Sequence, residues 1–429
     1  MIGFRNSVMA AIVLIAPILL KAQETGPIPL DRVYKSELRF SNEDEATYRK
    51  RFALSQNRST NAQLYEIMET IPGAARPVPL PTAAPANRTI SESALRAANA
   101  YAERNNSSAL LVWRNGKLES ETYFGGATRA SLQNSFSIAK PLTALAVGRA
   151  IKLGKIKSLD QKVADFIPEW RDDPLRSRIE VRHLLDMRSG LLRQANASDA
   201  DDVMARSFVH PRSDDILIKE YPVTHLPGSR YEYNNAASAI VAILIERATG
   251  RRYSEFVGSE VLAKIGAPGG EGWLNREQGL MNSGCCMMLS AETYLRMALL
   301  TLKEGVWNGQ RLLPTGYVAA MIKGTEQNPR YGLGVYPAGT YIARRGWANA
   351  DAPLPKVLHS EPYLAADLYL FDGNMNQVAY VVPSQNLAIL RIGGSPPRSE
   401  GSEWDNSYLP NVILRGIEKD RGQSVPQPR

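Results

Sequence analysis

The stretch Ser135-Phe136-Ser137-Ile138-Ala139-Lys140-Pro141 sets a hydroxyl and an amine three residues apart. In a helix that starts here, Ser137 meets the unpartnered N–H groups of the positive end, and Lys140 lies on the same face within reach of the hydroxyl. Pro141 agrees with that placement, because a first-turn N–H has no intrahelical partner to lose. Leu142, Leu145, Ala146, Ala150, Ile151 and Leu153 then recur at helical spacing. Taken singly, Ser137 reads as an ordinary N-cap, so the motif needs company.

Company comes from Pro227-Gly-Ser-Arg-Tyr-Glu-Tyr-Asn-Asn235, which opens a helix over 236–247 that ends at Gly250. If the two helices line one cleft, Tyr233 faces the Ser137 hydroxyl, and the nearby lysine favours the phenolate form. By itself Tyr233 reads as a core aromatic beside an asparagine cap. Farther out, Ser91 precedes a helical run over 94–103. Residues 109–113, Asn115-Gly116 and residues 118–124 follow as strand, tight turn and strand. Residues 331–336, 368–371, 378–382 and 387–392 are short runs rich in β-formers with turn residues between them. Strands on both sides of a helical middle predict an α/β chain of the α+β type, one antiparallel sheet built from both chain ends and flanked by helices. The expected organisation is an export leader over 1–22 and a proline-punctuated extension with one short helix over 23–88. The main domain follows over 89–420, with its sheet region at 89–130 and 330–420 and its helical region at 131–329.

Composition narrows the function classes. With 44% hydrophobic and 22% charged residues, the 429-residue chain is ordinary for a folded enzyme-sized protein. The net charge of +8 is scattered rather than gathered into aromatic-laced basic runs, which argues against a nucleic-acid partner. His183, His210, His225 and His359 stand far apart with no ligand spacing, so no metal and no cofactor is expected, and each reads as a structural or surface residue. Cys285 and Cys286 are adjacent, a spacing that disfavours a bridge, and read as buried near the site rather than catalytic. Arg5, the apolar stretch from Val8 to Leu20 and Leu20-Lys21-Ala22 suggest export to the periplasm, either cleaved or held by an uncleaved N-terminal anchor. No other apolar run is long enough to span a bilayer.

Serine, lysine and tyrosine thus stand in order inside one architecture, and the surrounding text resembles the class C β-lactamase superfamily. That group includes low-molecular-weight penicillin-binding proteins, family VIII esterases and 6-aminohexanoate-dimer hydrolases. The likeness is carried by Ser135-Phe-Ser-Ile-Ala-Lys140, Gly154-Lys-Ile-Lys-Ser-Leu-Asp160, Val163-Ala-Asp-Phe-Ile-Pro-Glu-Trp170, His183-Leu-Leu-Asp-Met-Arg-Ser-Gly-Leu191 and the Tyr233 motif. Leu289-Ser-Ala-Glu292, Trp307-Asn-Gly-Gln310 and Tyr331-Gly-Leu-Gly334 extend it, so that it covers residues 90 to 395. The resemblance implies a β-lactamase/transpeptidase-like fold and an acyl-enzyme on Ser137. It also implies activation by Lys140, proton transfer by Tyr233, and Asn235 orienting the lysine or the substrate. The Ser137 N–H would form half of an oxyanion hole and a strand N–H near Asn376 or Gln377 the other half.

The family's third motif, a basic or aromatic residue, a small one and a glycine, is the weak point of the match. The aligned stretch Phe371-Asp-Gly-Asn-Met-Asn-Gln377 offers Asn374-Met375-Asn376, with Arg344-Arg345-Gly346 as a competitor. Asn374, Asn376 and Gln377 are accordingly expected to bind or orient the substrate. The expected function is a serine hydrolase of a small ester, amide or lactam, with esters and amides favoured over true β-lactams. The alternative is an envelope binding protein of the same fold that has lost turnover.

Overall fold

The computed structural model describes residues 34–56, 66–193, 197–346, 356–397 and 403–417. The expected leader over 1–22 lies outside the described residues. A central antiparallel sheet is made of β2 (Ser107–Arg114), β3 (Lys117–Tyr123), β7 (Tyr336–Pro337), β8 (Tyr369–Gly373), β9 (Gln377–Val382) and β10 (Leu387–Gly393), in the order β3-β2-β10-β9-β8-β7. The β2–β3 hairpin turns at Asn115 (φ 49°) and Gly116 (φ 94°), the left-handed pair that a two-residue turn of matching twist requires. Leu110, Leu111, Val112, Leu387, Ile389 and Leu390 are fully buried, so this pairing across more than 270 residues of sequence forms the floor of the core.

One face of the sheet is covered by α5 (Ala291–Leu302), and the other by α2 (Glu92–Arg104) and α6 (Tyr408–Arg415). The helical region is centred on α3 (Ala139–Lys152), buried almost all round, and α4 (Asn235–Thr249), which pack on each other. Asn234 caps α4 by accepting the Ala237 N–H at 2.7 Å, and Gly250 closes it at φ 69°. A smaller sheet of β1 (Met68–Ile71), β4 (Leu132–Asn134), β5 (Gly270–Trp273) and β6 (Met287–Ser290), in the order β1-β5-β6-β4, joins the two regions.

Two expectations are corrected here and a third gains detail. The stretch over 23–88, expected as an extension with one short helix, carries α1 (Asn42–Ser55) and also β1 in its described part, and is docked. α1 has no apolar stripe to announce it. Polar anchors and a small apolar cluster around Tyr48 and Phe52 hold it, with Glu45 taking both terminal nitrogens of the buried Arg206 and Arg51 donating to the Asn275 carbonyl at 2.6 Å. The proline-rich segment runs along β3, where the Ala83 N–H donates to the Leu118 carbonyl and the Leu118 N–H to the Pro81 carbonyl, covering an edge that would otherwise be open. Residues 331–336 form a strand only at Tyr336, because Gly334 sits at φ 73° and turns the chain. Cys285 and Cys286, expected to be unbridged, are joined as a vicinal disulfide, with Cys286 at φ 73°.

Arg391 on β10 is fully buried and, among the described residues, has no carboxylate partner. Its guanidinium donates to Ser107 Oγ and to the carbonyls of Asn105, Met375, Asn376 and Gly394 at 2.6–3.1 Å. Removing it leaves four carbonyls without their donor, so Arg391→Met is expected to lower unfolding free energy by about 3–5 kcal/mol. Urea unfolding checks this, and a loss below about 1 kcal/mol would show that water replaces the guanidinium without cost.

Candidate active site

Residues 136–138 form a single tight turn that feeds directly into α3, placing Ser137 at the helix entrance and Lys140 in the first turn. Phe136 sits at φ 43°, a left-handed conformation unfavourable for a bulky side chain. Its neighbours over-determine it. The Phe136 N–H donates to Asn134 Oδ1 at 2.9 Å, and Ser135 exchanges two bonds with Met287, one through its backbone and one through its hydroxyl, each at 2.9 Å. Tyr294 then ties the Gln133 and Met287 carbonyls together, each at 2.8 Å.

Around the Ser137 hydroxyl the expected groups converge. Lys140 Nζ lies 3.0 Å from Ser137 Oγ, and Tyr233 OH donates to the same oxygen at 2.8 Å. Lys140 is 2% exposed and also donates to Asn235 Oδ1 at 2.7 Å and to the Gly284 carbonyl at 2.9 Å. All three of these acceptors are neutral. Burial without a counter-charge disfavours the ammonium, and the Lys140 pKa is lowered to about 7. Tyr233 is raised instead, by burial above all, with the Ser137 hydrogen bond opposing. The expected phenolate is therefore corrected: desolvation outweighs the Ser137 hydrogen bond, and the Tyr233 hydroxyl keeps its proton. Gly334 explains why the family's Tyr-Gly-Leu-Gly stretch is glycine-rich, since a Cβ there would stand 3.1 Å from the Lys140 carbonyl.

The third-motif residues fall differently. It is Gly373, at the end of β8, that abuts the serine turn; a Cβ on it would stand 3.1 Å from the Ser137 amide nitrogen and 3.0 Å from that of Ile138. Asn374 is exposed and accepts the Met375 N–H, while the Asn376 carbonyl is held by Arg391. Gln377 turns its side chain to β10, donating to the Gly393 carbonyl and accepting its N–H. The motif in space is thus Phe371-Asp372-Gly373, three residues earlier than Asn374-Met375-Asn376. The competing arginines do not supply a free cation either. Arg344 is paired with Glu403, and Arg345 donates to the carbonyls of Arg330, Pro337 and Ala338.

Sequence reasoning missed the Gly284 carbonyl, for which no local signal exists, and Gly373, which the aromatic–small–glycine pattern of residues 371–373 would have found. Cys286, two residues after Gly284, is buried. His183, His210 and His359 are buried and held down to about 4, mainly by desolvation, so they are neutral at pH 7. Among the described residues, no group of three or more His, Cys, Asp or Glu is placed to hold a metal, and no helix is long and apolar enough to cross a membrane.

Comparison with known proteins agrees with this architecture. The 6-aminohexanoate-dimer hydrolase of Paenarthrobacter ureafaciens is 24% identical over 258 residues, covering 57% of this chain and 64% of that protein, less than two thirds of its length. A Bacillus anthracis structure assigned as a 6-aminohexanoate-dimer hydrolase superposes with a TM-score of 0.61 at 17% identity, covering 82% of this chain and 90% of its own. The hydrolase EstCE1, which has promiscuous acyltransferase activity, gives 0.57 at 15% identity over 75% of this chain and 98% of its own. At these identities the structures speak for the fold. The sequence profile of the beta-lactamase family matches residues 95–393, more than two thirds of the sequence and every element that builds the site, and the chain belongs to that family.

Proposed function

We propose that this protein is a serine hydrolase that cleaves a small ester, amide or lactam through an acyl-enzyme on Ser137. The carrying observation is that a buried lysine and a protonated tyrosine both bond one serine oxygen, at 3.0 and 2.8 Å. A lysine lowered to about 7 is largely a free amine above that pH, so it can take the Ser137 proton as Oγ bonds to the substrate carbonyl carbon. Tyr233, still protonated, gives its proton to the leaving oxygen or nitrogen as that bond breaks, and recovers one from Lys140, whose nitrogen lies 4.9 Å from the Tyr233 ring centre. Water then releases the acyl group by the same route in reverse. The Ser137 N–H, against which Gly373 at the end of β8 packs, supplies one oxyanion donor in this reading, and the second, first assigned to a strand N–H near Asn376 or Gln377, stays with the turn that follows β8.

A fluorophosphonate probe tests this reading. Labelling at one serine, in the peptide holding Ser137, is expected; absence of labelling would leave only a binding protein of the same fold. The names of the relatives, a 6-aminohexanoate-dimer hydrolase and a hydrolase with promiscuous acyltransferase activity, support a hydrolase reading. Export, with residues 1–22 as the leader, is part of the proposal and is tested by cell fractionation.

Preference among substrates follows from the missing cation. A β-lactam carries a carboxylate that a fixed cation would hold. Here Arg344 and Arg345 are already bonded, and a neutral donor makes a bond roughly half as strong. A short-chain p-nitrophenyl ester is therefore expected to exceed a chromogenic cephalosporin in kcat/KM by at least about tenfold. A cephalosporin that proves the better substrate ends the specificity argument while leaving the Ser137 chemistry standing.

A further inference from the structure

The two cysteines of the chain occupy the middle of a short connection that serves the site at both ends. Ser283 Oγ donates to the Ser238 carbonyl of α4 at 2.7 Å, and Gly284 lies so close to that helix that a Cβ on it would stand 2.6 Å from Ser238 Cβ. Here the Gly284 carbonyl accepts Lys140 Nζ at 2.9 Å. Past the cysteines, Met287 opens β6, which is paired with β4 and β5. Its N–H donates to Ser135 Oγ and its carbonyl accepts the Ser135 N–H, each at 2.9 Å. One end thus holds the lysine and the other the base of the serine turn, with Cys285 and Cys286 between them. The proposed hydrolysis uses neither sulfur.

The two cysteines differ in their surroundings. Cys286 is 3% exposed in an apolar cluster with Tyr48, Val209 and Trp273, whereas Cys285, packed at the edge of that cluster, keeps part of its surface in solvent. Access therefore directs thiol attack to Cys285, with Cys286 as the leaving sulfur. Opening the bond moves the sulfurs from covalent to van der Waals separation. Cys286 is enclosed and the residue after it is pinned in β6, so the displacement falls on Cys285 and on the Gly284 carbonyl before it. Lys140 then loses one of its three acceptors.

We infer that Cys285–Cys286 is a redox modification site read out by Lys140: the disulfide holds the Gly284 carbonyl on the lysine, and reduction by a dithiol releases it and lowers turnover. In the first step a thiolate of the dithiol bonds Cys285 Sγ as the Cys285–Cys286 bond breaks, and Cys286 leaves with the electron pair and takes a proton. The second thiol of the reductant then displaces Cys285. The protein gains two electrons and two protons, and the reductant ends as a cyclic disulfide. The consequence for turnover rests on the hydrolase reading, whereas the coupling of the pair to the lysine does not.

Dithiothreitol is the probe, and with no other cysteine in the chain a response to it reports on this pair. Reduced wild-type protein, carrying two titratable thiols, is expected to lose about tenfold or more in kcat/KM for an accepted ester above pH 7, the scale of a displaced catalytic group, and to regain it with oxidised dithiothreitol. The limb near pH 7 should also move to lower pH, because a carbonyl acceptor favours the ammonium and its loss lowers the Lys140 pKa further. Tyr233 also faces the lysine, its ring centre 4.9 Å from Nζ, but stays protonated through this range and adds nothing to the limb. Cys285→Ser/Cys286→Ser should match the reduced protein and ignore dithiothreitol. Reduction that lowers the rate and the unfolding free energy but leaves the limb in place marks a purely structural bridge and overturns the link to Lys140, as does a fully reduced protein of unchanged rate. A pair that resists dithiothreitol in the folded protein overturns the site itself. Linkage supplies a test without turnover. Lys140→Met removes the donor, so the equilibrium of the pair with reduced and oxidised dithiothreitol should shift toward the thiols by about fivefold, the size of one hydrogen bond. Equal equilibria in the two proteins overturn the coupling even if Ser137 is confirmed as the nucleophile. A shifted equilibrium in a protein that hydrolyses nothing overturns the hydrolase reading and leaves the redox site standing.

Discussion

Ser137→Ala is expected to lower hydrolysis of any accepted ester by roughly 10⁴-fold or more, the scale of losing a nucleophile whose neighbours act as a unit. The hydroxyl lies at the point where Lys140, Tyr233 and the end of β8 meet, so its loss deletes the covalent route. The fold should survive, because the turn that carries it is held by Asn134, Ser135, Met287 and Tyr294 rather than by the hydroxyl. Steady-state rates beside a urea unfolding curve make the comparison. Activity within about tenfold of wild type, in a protein that unfolds normally, would sink the assignment of Ser137.

Lys140→Ala and Tyr233→Phe should each cost about 10³-fold, and the double variant little more than either single one, because one proton passes through both. Losses that multiply would mean that the two groups do not share a relay. The pH dependence carries a sign that can be worked out. Lys140 is lowered from its ordinary range to about 7 by burial, and its active form is the free amine. The rate constant kcat/KM should therefore rise with pH through about 7 and then level. Tyr233 acts in its protonated form and is raised, so it adds no falling limb near neutrality. Coupled groups titrate together, so the measured limb belongs to the pair. A profile flat between pH 5 and 9 would contradict a lysine base.

How much of this was legible in the sequence depended on whether the signal was local. The hairpin at Asn115-Gly116, the helix opened by Ser137 and Lys140, and the helix capped by Asn234 all announce themselves in a few residues, and each is found within a residue or two of its expected limits. So are the three late strands over 369–393. What escaped was set by tertiary contacts. A short helix before residue 88 was expected, but not its docking: α1 is anchored by Arg206 and Asn275, residues 150 or more positions away. The register of the third motif depends on where β8 stops against the serine turn, a meeting that no reading of residues 371–377 alone can locate. The Tyr233 proton was misjudged for a related reason: a neighbouring lysine is visible in sequence, whereas the depth of burial that raises the tyrosine is not.

The pairing of β2 with β10 has a consequence for the order in which the protein comes into being. The serine, the lysine and the tyrosine are all synthesised before residue 234, but β8, which completes their surroundings, is held in place by β9, and β9 by β10. β10 in turn needs β2, made 280 residues earlier. Such long closures are slow to form. A ribosome-bound chain thus carries all of its reactive side chains while lacking the wall that aligns them. We expect chains truncated before Leu387 to take up no fluorophosphonate, a measurement easily made on stalled nascent chains. The enzyme would then be born silent, and the last strand to emerge would switch its chemistry on.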